Sequence, residues 1–447
     1  LKQGTITEIF GDAGISGRLY RSARLARGYH GGVTPLRILH VTPYFEHAWA
    51  YGGIPRVVTT MARALARRGH DVTVCTTDVA TADGRLAAGT PDDLPLATAS
   101  PIRVRVFRNV SNWAAYRWQA FLPIGFRRFL QAHLDDFDVV HLHACHNVLS
   151  AVAARACCES HVPFLVSPHG TAPRLERRRA AKWIFERTLG RNILANASLV
   201  AAVSGAEERQ LLRLGVAHDR IVTVPNPIDL ETFDDRPPRG GFRSTHDMGN
   251  DPIVMFLGKL TPRKRVDVLV QAFAYLKSPQ ARLVIAGNDM GVAHALGRQV
   301  NRLGLTDRVT FTGLLSGRER VAALVDADAV VYASTDEVFG LVPLEALLCG
   351  TPVVVSNDSG CGEVIQRVGG GIAVPPRDPV ALAGALGRVL GAPGEWRTAA
   401  ESAAARVRTL FAPAVTAADL EAVYLRMSHR TSVAAETRRN RVTVTPV

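Results

Sequence analysis

Glu337 and Glu345, in STDEVFGLVPLEALLCGTPVVVSNDSG, are the side chains of this 447-residue sequence whose spacing best suits chemistry. AVVYAS (Ala329 to Ser334) reads as a strand. Pro343 has no N–H and is tolerated in a first helical turn, which sets a helix start near Gly340. Glu337 then lies in the loop and Glu345 just inside the helix. In unbroken helix they would stand roughly 12 Å apart at about 1.5 Å per residue, but a loop start lets both face one cleft. There one carboxylate can accept hydrogen bonds from sugar hydroxyls and the other from a ribose. The N–H groups around Phe339, Gly340 and Leu341, unpaired at a helix N-terminus, form an anion site suited to a diphosphate. Taken alone, the pair also reads as a solvated Glu and a second Glu favoured by the helix dipole.

Other residues point the same way. Lys259, Arg263, Lys264 and Arg265 follow the predicted strand Ile253 to Leu257, where cations stabilise the charge of a departing diphosphate without a metal; the plain alternative is a solvated basic loop. Gly52 and Gly53 precede a helix expected over Ile54 to Arg68 and closed by Gly69. They permit close backbone approach to a phosphate, or make a simple turn. The pattern is not G-x-G-x-x-G, so no nicotinamide or flavin cofactor is expected. His169 ends the strand Pro163 to Ser167. His141, His143 and His146 stand at another strand end, where acceptor contacts or a structural role are favoured over metal ligation. Asp326 and Asp328 imitate a D-x-D metal motif but precede a strand, and no chemistry is assigned to them.

The elements that must position these groups alternate between strand and helix from Leu36 onward, the pattern of βαβ units and parallel sheets. Strands are expected near residues 36–42, 71–77, 102–107, 138–143, 163–167, 199–203 and 221–224. A second series is expected near residues 253–257, 282–286, 309–312, 329–332, 352–355 and 371–374. Between the series, Asp234 to Asp251 is rich in Pro and Gly and reads as a linker. Two facing α/β domains result, at residues 36–230 and 252–415, with 231–251 linking them. Residues 1–35 are expected to be a disordered extension and 428–447 a loose tail.

The E-x7-E pair resembles the signature of retaining glycosyltransferases of family 4, and further family signatures follow in order. VMFLGKLTPRKRVDVLVQAF is similar to the family's strand, G-R-L turn, K-G pair and helix, and VPNPIDLETF to its P-N-G-I-D motif. VSPHGTAP, VAAVSGAEERQLL and YGGIPRVVTTMARALARRGHDVTV resemble its remaining segments, so the likeness runs from about Leu36 to Met427. It implies the GT-B fold: α/β, two Rossmann-like domains with parallel sheets facing a central cleft, and a helix at 416–427 crossing back to the first domain. It further implies retaining transfer of a sugar from a nucleotide sugar to a glycan or polyprenyl-linked acceptor, in bacterial surface or exopolysaccharide assembly. No cofactor or metal is implied, and a UDP-sugar is favoured over a GDP-sugar. His169, Glu337 and Lys264 take the catalytic positions, His169 as a positioner near the reacting carbon. Gly52, Gly53, Lys259, Lys264, Phe339, Gly340, Leu341 and Glu345 take the donor-binding ones. Lys259 replaces the family's Arg and Arg265 its Gly, which puts the local turn in question. Pro227 replaces a Gly beside Asn226 and Asp229, which are read as hinge residues. Gly360, Gly362 and Glu363 resemble the segment that closes the nucleotide pocket. Two alternatives stand beside this: a GT-B epimerase, and a catalytically silent scaffold on membrane or nucleic acid, against which the intact Glu337, Glu345, Lys264 and His169 argue.

A 47% hydrophobic and 21% charged composition belongs to globular chains. Of the +13 net charge, residues 1–230 hold 28 Lys and Arg against 18 Asp and Glu, and the remainder 25 against 22. The excess gathers at Arg103, Arg105, Arg108, Arg117, Arg127 and Arg128, and again over Arg174 to Arg191. An anionic membrane surface is therefore a candidate partner, at about 1 kcal/mol per basic residue. Nucleic acid is not, for want of zinc spacing or stacking aromatics. Six cysteines without C-x-x-C spacing fit buried thiols in a reducing compartment. The localisation expected is cytoplasmic, peripheral at the inner face of the plasma membrane.

Overall fold

The structure, a computed structural model, describes residues 35–46, 48, 51–80, 84–85, 102–118, 121–173, 185, 187 and 190–442. The extension expected before Leu36 and most of the basic run from Arg174 to Arg191 lie outside the described residues.

The first seven strands are β1 (Arg37–Val41), β2 (Asp71–Thr77), β3 (Ile102–Phe107), β4 (Val139–His143), β5 (Phe164–Ser167), β6 (Leu199–Ala202) and β7 (Ile221–Thr223). They form one sheet in the order β3-β2-β1-β4-β5-β6-β7. The second sheet contains β8 (Ile253–Leu257), β9 (Arg282–Ala286), β10 (Val309–Gly313), β11 (Ala329–Tyr332), β12 (Val353–Ser356) and β13 (Gly371–Val374), ordered β10-β9-β8-β11-β12-β13. Every pairing is parallel. The sequence dictates this: IVMFL of β8 and VVHLH of β4 are buried at every position, as runs covered by helices on both faces must be. In each sheet the strand order reverses beside the central strand, between β1 and β4 and between β8 and β11. A crevice opens beyond the carboxyl ends at such a reversal, and the two crevices face each other.

Two expected boundaries change. The segment 231–251, expected as a linker, is packed as the first layer of the second domain. Phe233, Phe242 and Met248 sink into that domain's core. Asp326 accepts the N–H groups of Gly240 (2.5 Å) and Arg243 (2.9 Å), and Asp328 pairs with Arg243 at 2.6 Å. The Pro and Gly residues concealed three widely spaced anchors, and the D-x-D imitation clamps Gly240 and Arg243 between them. The last helix runs over Pro413–Val442, so residues 428–442 are helical rather than loose. TSVAAETRRNRV contains good helix formers and neither Gly nor Pro to end the helix. Its Ala417, Leu420, Tyr424 and Met427, spaced along one face, complete the core of the first domain against β1 and the helix Gly53–Arg67. Arg68 and His70 of that domain meet its Glu421 at 2.5 and 3.6 Å.

Candidate active site

The facing crevices form a cleft of about 1330 Å³ whose lining includes His169, Glu337, Lys264, Gly52, Gly53, Lys259, Phe339, Gly340, Leu341 and Glu345, every residue singled out in the sequence as catalytic or donor-binding. Loops at the carboxyl ends of β1, β5, β8 and β11 deliver most of them, as the strand order requires.

Glu337 sits in the loop after β11, and the helix begins at Leu341 with Gly340 before it at φ 81°. That loop is pinned from below. The Gly360 N–H donates to the Glu337 carbonyl at 2.8 Å, and a Cβ on Gly360 would lie 1.9 Å from the Val338 carbonyl oxygen, so only glycine fits. The Glu337 carboxylate receives Lys264 Nζ at 2.5 Å and the Tyr332 hydroxyl at 3.4 Å. Burial opposes its ionisation, but the charges of Lys264 and Arg263 with hydrogen bonds from Lys264 and Tyr332 prevail and hold its pKa down to about 2. Lys264 also lies over the Tyr332 ring, 4.3 Å from its centre. Burial works against its ammonium, yet Glu337 raises its pKa on balance. The turn that carries Lys264 survives the loss of the family's Gly: Arg265 adopts the left-handed conformation itself, at φ 51°, and pairs with Asp267 at 2.7 Å.

Glu345 is almost wholly buried, with one oxygen on Arg56 and the other on Arg320. Burial again opposes ionisation, and Arg320 and Arg56 together keep its pKa below the ordinary value. Arg56 lies one turn into the helix Gly53–Arg67 of the first domain, so this ion pair crosses the cleft. Gly52, at φ 97°, and Gly53 mark a close approach of the domains. A Cβ on the first would lie 2.8 Å from Lys259 Cε, and one on the second 2.8 Å from Leu341 Cδ1. Lys259 Nζ donates to the Tyr51 carbonyl at 2.9 Å. Two helix N-termini, at Gly53 and at Leu341, thus flank the lysines.

His169 (φ 51°) enters the cleft wall from the end of β5, steadied by Gly170, whose N–H donates to Glu207 Oε1 at 2.5 Å. Its Nε2 meets His143 Nδ1 at 3.1 Å, and His143 Nε2 meets His40 Nδ1 at 2.9 Å. Burial depresses all three imidazoles, His40 to about 3 and His169 to about 4, the latter against the raising effect of Asn226. At neutral pH they form a neutral stack. Ring nitrogens of His40, His141 and His143 lie within 4.8 Å of one another. Hydrogen bonds engage most of the cluster: His141 is bound at 2.7 Å to both the Tyr424 hydroxyl and Ser167 Oγ, and His143 is engaged at both nitrogens, while His40 Nε2 is buried without a partner among the described residues. His146, grouped with them in the sequence, stands apart in the cleft wall and bonds the Thr171 carbonyl at 2.5 Å.

Glu363 is not among the residues that line the cleft. It accepts from the Ala206 N–H at 3.1 Å and pairs with Arg209, tying the two domains outside the cleft, because the helix Gly360–Val368 presents its first turn to the other domain. Residues that the sequence reading did not rank are in the lining: Arg56, Arg320, Tyr332 and Asn226. The position of Tyr332 at the end of β11 was legible. Arg320, at the start of a surface helix, left no local signal.

A cleft between two Rossmann-like domains, with paired carboxylates, lysines and two helix N-termini at the strand-order reversals, is the GT-B arrangement of glycosyltransferases. Residues 51–232 match Glycosyltransferase Family 4 and residues 242–407 match Glycosyl transferases group 1. A D-inositol 3-phosphate glycosyltransferase of Xylanimonas cellulosilytica is 30% identical over 375 residues, covering 80% of this chain and 88% of that one. The solved structure of Anabaena Alr3699/HepE with UDP and glucose superposes with a TM-score of 0.69 at 21% identity, covering 87% of this chain and 99% of that one. Sucrose-phosphate synthase from Thermosynechococcus elongatus gives 0.67 at 23% identity, covering 87% and 98%. The chain belongs to glycosyltransferase family 4 and is a glycosyltransferase.

Proposed function

We propose that this enzyme transfers a sugar, with retention of anomeric configuration, from a nucleoside diphosphate sugar to a glycan or polyprenyl-linked acceptor in bacterial surface or exopolysaccharide assembly. The observation that carries the reading is the pairing of each carboxylate with cations at the strand-order reversal. An incoming diphosphate takes Lys264 and Lys259 together with the N–H groups at Gly53 and Leu341. One oxygen of Glu337 is thereby released toward the sugar, and Glu345 turns toward the ribose. The C1–O bond to phosphate breaks and the C1–O bond to the acceptor forms on the same face. The acceptor proton passes to the leaving phosphate oxygen, as in the front-face route. Both glutamates are held as ionised, cation-bound groups, which suits binding rather than nucleophilic attack. His169, neutral and fixed by His143 and Glu207, positions the reacting carbon. The lysines and helix ends supply the charge that a metal would otherwise supply, so no metal or cofactor is needed. UDP is the preferred base, in keeping with the UDP held by the Anabaena relative.

On the acceptor side, Tyr44 and Tyr51 stack with ring centres 5.1 Å apart, and Phe121 meets Tyr44 edge-on at 5.5 Å. Such an aromatic wall suits the apolar face of a sugar ring. Among the described residues no helix is long and apolar enough to cross a membrane, so a lipid-linked acceptor would be met at the bilayer surface. The test is the first-formed anomer when the enzyme hydrolyses its best-bound α-linked UDP-sugar in an NMR tube. Appearance of the α-sugar, unaffected by chelator, supports the reading. A β-sugar overturns retention, and loss of activity with chelator restores a metal.

A further inference from the structure

Behind the cleft wall lies a row of three imidazoles of which the mechanism uses only one end. His40 of β1 pairs with His141 of β4, and side chains alternate along a strand. His40, His141 and His143 therefore share the sheet face of Ile38 and Val139, which the helices Gly53–Arg67 and Pro413–Val442 cover. His40, His143 and His169 are joined edge to edge at 2.9 Å and 3.1 Å, with ring planes only 10° and 11° apart. A neutral imidazole has one N–H and one bare nitrogen. Such a row thus has two polarities: its N–H groups all point toward His169, or all toward His40.

The two ends decide between them. His40 Nε2 is buried with no hydrogen-bond partner among the described residues. At the other end, His169 Nδ1 and Asn226 Oδ1 are both buried with no other partner there, and Asn226 raises the His169 pKa as an acceptor of its N–H does. With the N–H groups pointing toward His40, an N–H is stranded at His40 Nε2 and two lone pairs oppose each other at Asn226. Pointing toward His169, they strand only one bare nitrogen, and a buried N–H without a partner is the rarer fault. We propose that His143, backed by His40, is a positioning residue that donates to His169 Nε2 and so fixes His169 as its Nδ1–H tautomer, the opposite of the form free histidine favours. The N–H then points at Asn226, between β7 and the second domain, and ties the His169 loop to the crossover. Any sugar group that takes the place of Asn226 must bring a lone pair, as a hydroxyl oxygen does. Fixing the tautomer of a working imidazole falls to the group bonded to its other nitrogen. The proposal deepens the role given to His169 in the function proposed above and rests on that reading for its purpose.

The test has two readouts on the full chain. Nitrogen chemical shifts of isotope-labelled histidine side chains, with His169→Gln to assign the signal, are expected to show His169 protonated at Nδ1 and bare at Nε2. An Nε2–H signal overturns the proposal. Acceptor-free hydrolysis of the best-bound UDP-sugar is then compared in His143→Phe, which cannot donate, and in His143→Asn, whose amide nitrogen stands near the place of Nδ1. His143→Phe is expected to lower kcat roughly fivefold to tenfold, the worth of one neutral hydrogen bond, with KM for the UDP-sugar little changed, and His143→Asn to recover most of that loss. Equal kcat in wild type and His143→Phe, or an equal fall in both variants, overturns the proposal. Absence of hydrolysis in wild type would count against the transferase site and leave the tautomer signal to decide.

Discussion

Glu345 shows how one side chain can serve two purposes at once. Spacing together with the family resemblance made it a ligand-binding carboxylate, from which its removal would be expected to spoil activity and spare the fold. The structure adds that it pairs with two partly buried arginines from different parts of the chain. Removing one partner of a buried ion pair typically costs 3–5 kcal/mol. Glu345→Ala should therefore lower stability by about that amount in urea unfolding, as well as abolishing turnover, and unaltered stability would show that Arg56 and Arg320 are solvated. Lys264→Ala removes the diphosphate cation and also strips Glu337 of the charge that holds its pKa down to about 2. The sign follows from that depression. The stability Glu337 contributes is fully present above its ordinary value of 4.5 and is lost as pH falls through about 2. In Lys264→Ala that depression is relieved, so this acid-side loss should shrink or change sign, which a comparison of melting temperatures below about pH 5 would reveal.

At the scale of elements, the strands and the helix starts were legible because their signals are local. Continuous apolar runs mark strands buried on both faces, and Pro343 and Gly340 mark a helix N-terminus. The segment 231–251 was not legible, since its anchors Phe233, Phe242 and Met248 follow no period and acquire meaning only against Asp326 and Asp328. The support beneath His169 was legible only as the family likeness of VAAVSGAEERQLL, not as a contact with Gly170. Glu207 lies in the first turn of the helix Gly205–Arg213, and its carboxylate accepts N–H bonds from Gly170 and Val203. Burial pushes its pKa up to about 7 against those two bonds. A carboxyl with a raised pKa contributes stability that is present below its ordinary value of 4.5 and lost as pH rises through about 7. The melting temperature of wild type relative to Glu207→Gln should accordingly fall between about pH 5 and pH 8; a difference that stays flat across this range would refute the assignment. For the loop that holds Glu337, Gly360→Ala must displace the Val338 carbonyl, so we expect a fall in kcat at least tenfold greater than that caused by Gly53→Ala, whose new methyl meets only the mobile end of Leu341, an estimate of about 1.4 kcal/mol in the barrier.

For the whole molecule, the two domains stand closed on each other through contacts that surround the cleft. Lys259 reaches Tyr51, Arg56 reaches Glu345, and Glu363 reaches Ala206 and Arg209. The last helix adds a permanent tie, its Tyr424 buried in the first domain with its hydroxyl on His141. On the function proposed above, an entering donor would take partners from Arg56–Glu345 and Lys264–Glu337, so binding exchanges ties within a cleft that is already closed. The resemblance made the cleft legible in advance, but the exchange of partners within it depends on Arg56 and Arg320, which only the packed chain brings together. The most direct test is a thermal-shift titration of UDP, GDP, ADP, dTDP and their sugars against wild type and Lys264→Ala. The account predicts that one nucleotide, UDP first, raises the melting temperature of wild type and fails to raise that of the variant. Equal shifts in both proteins would contradict the assignment of Lys264 to the diphosphate, and no shift with any nucleotide would contradict the donor cleft itself.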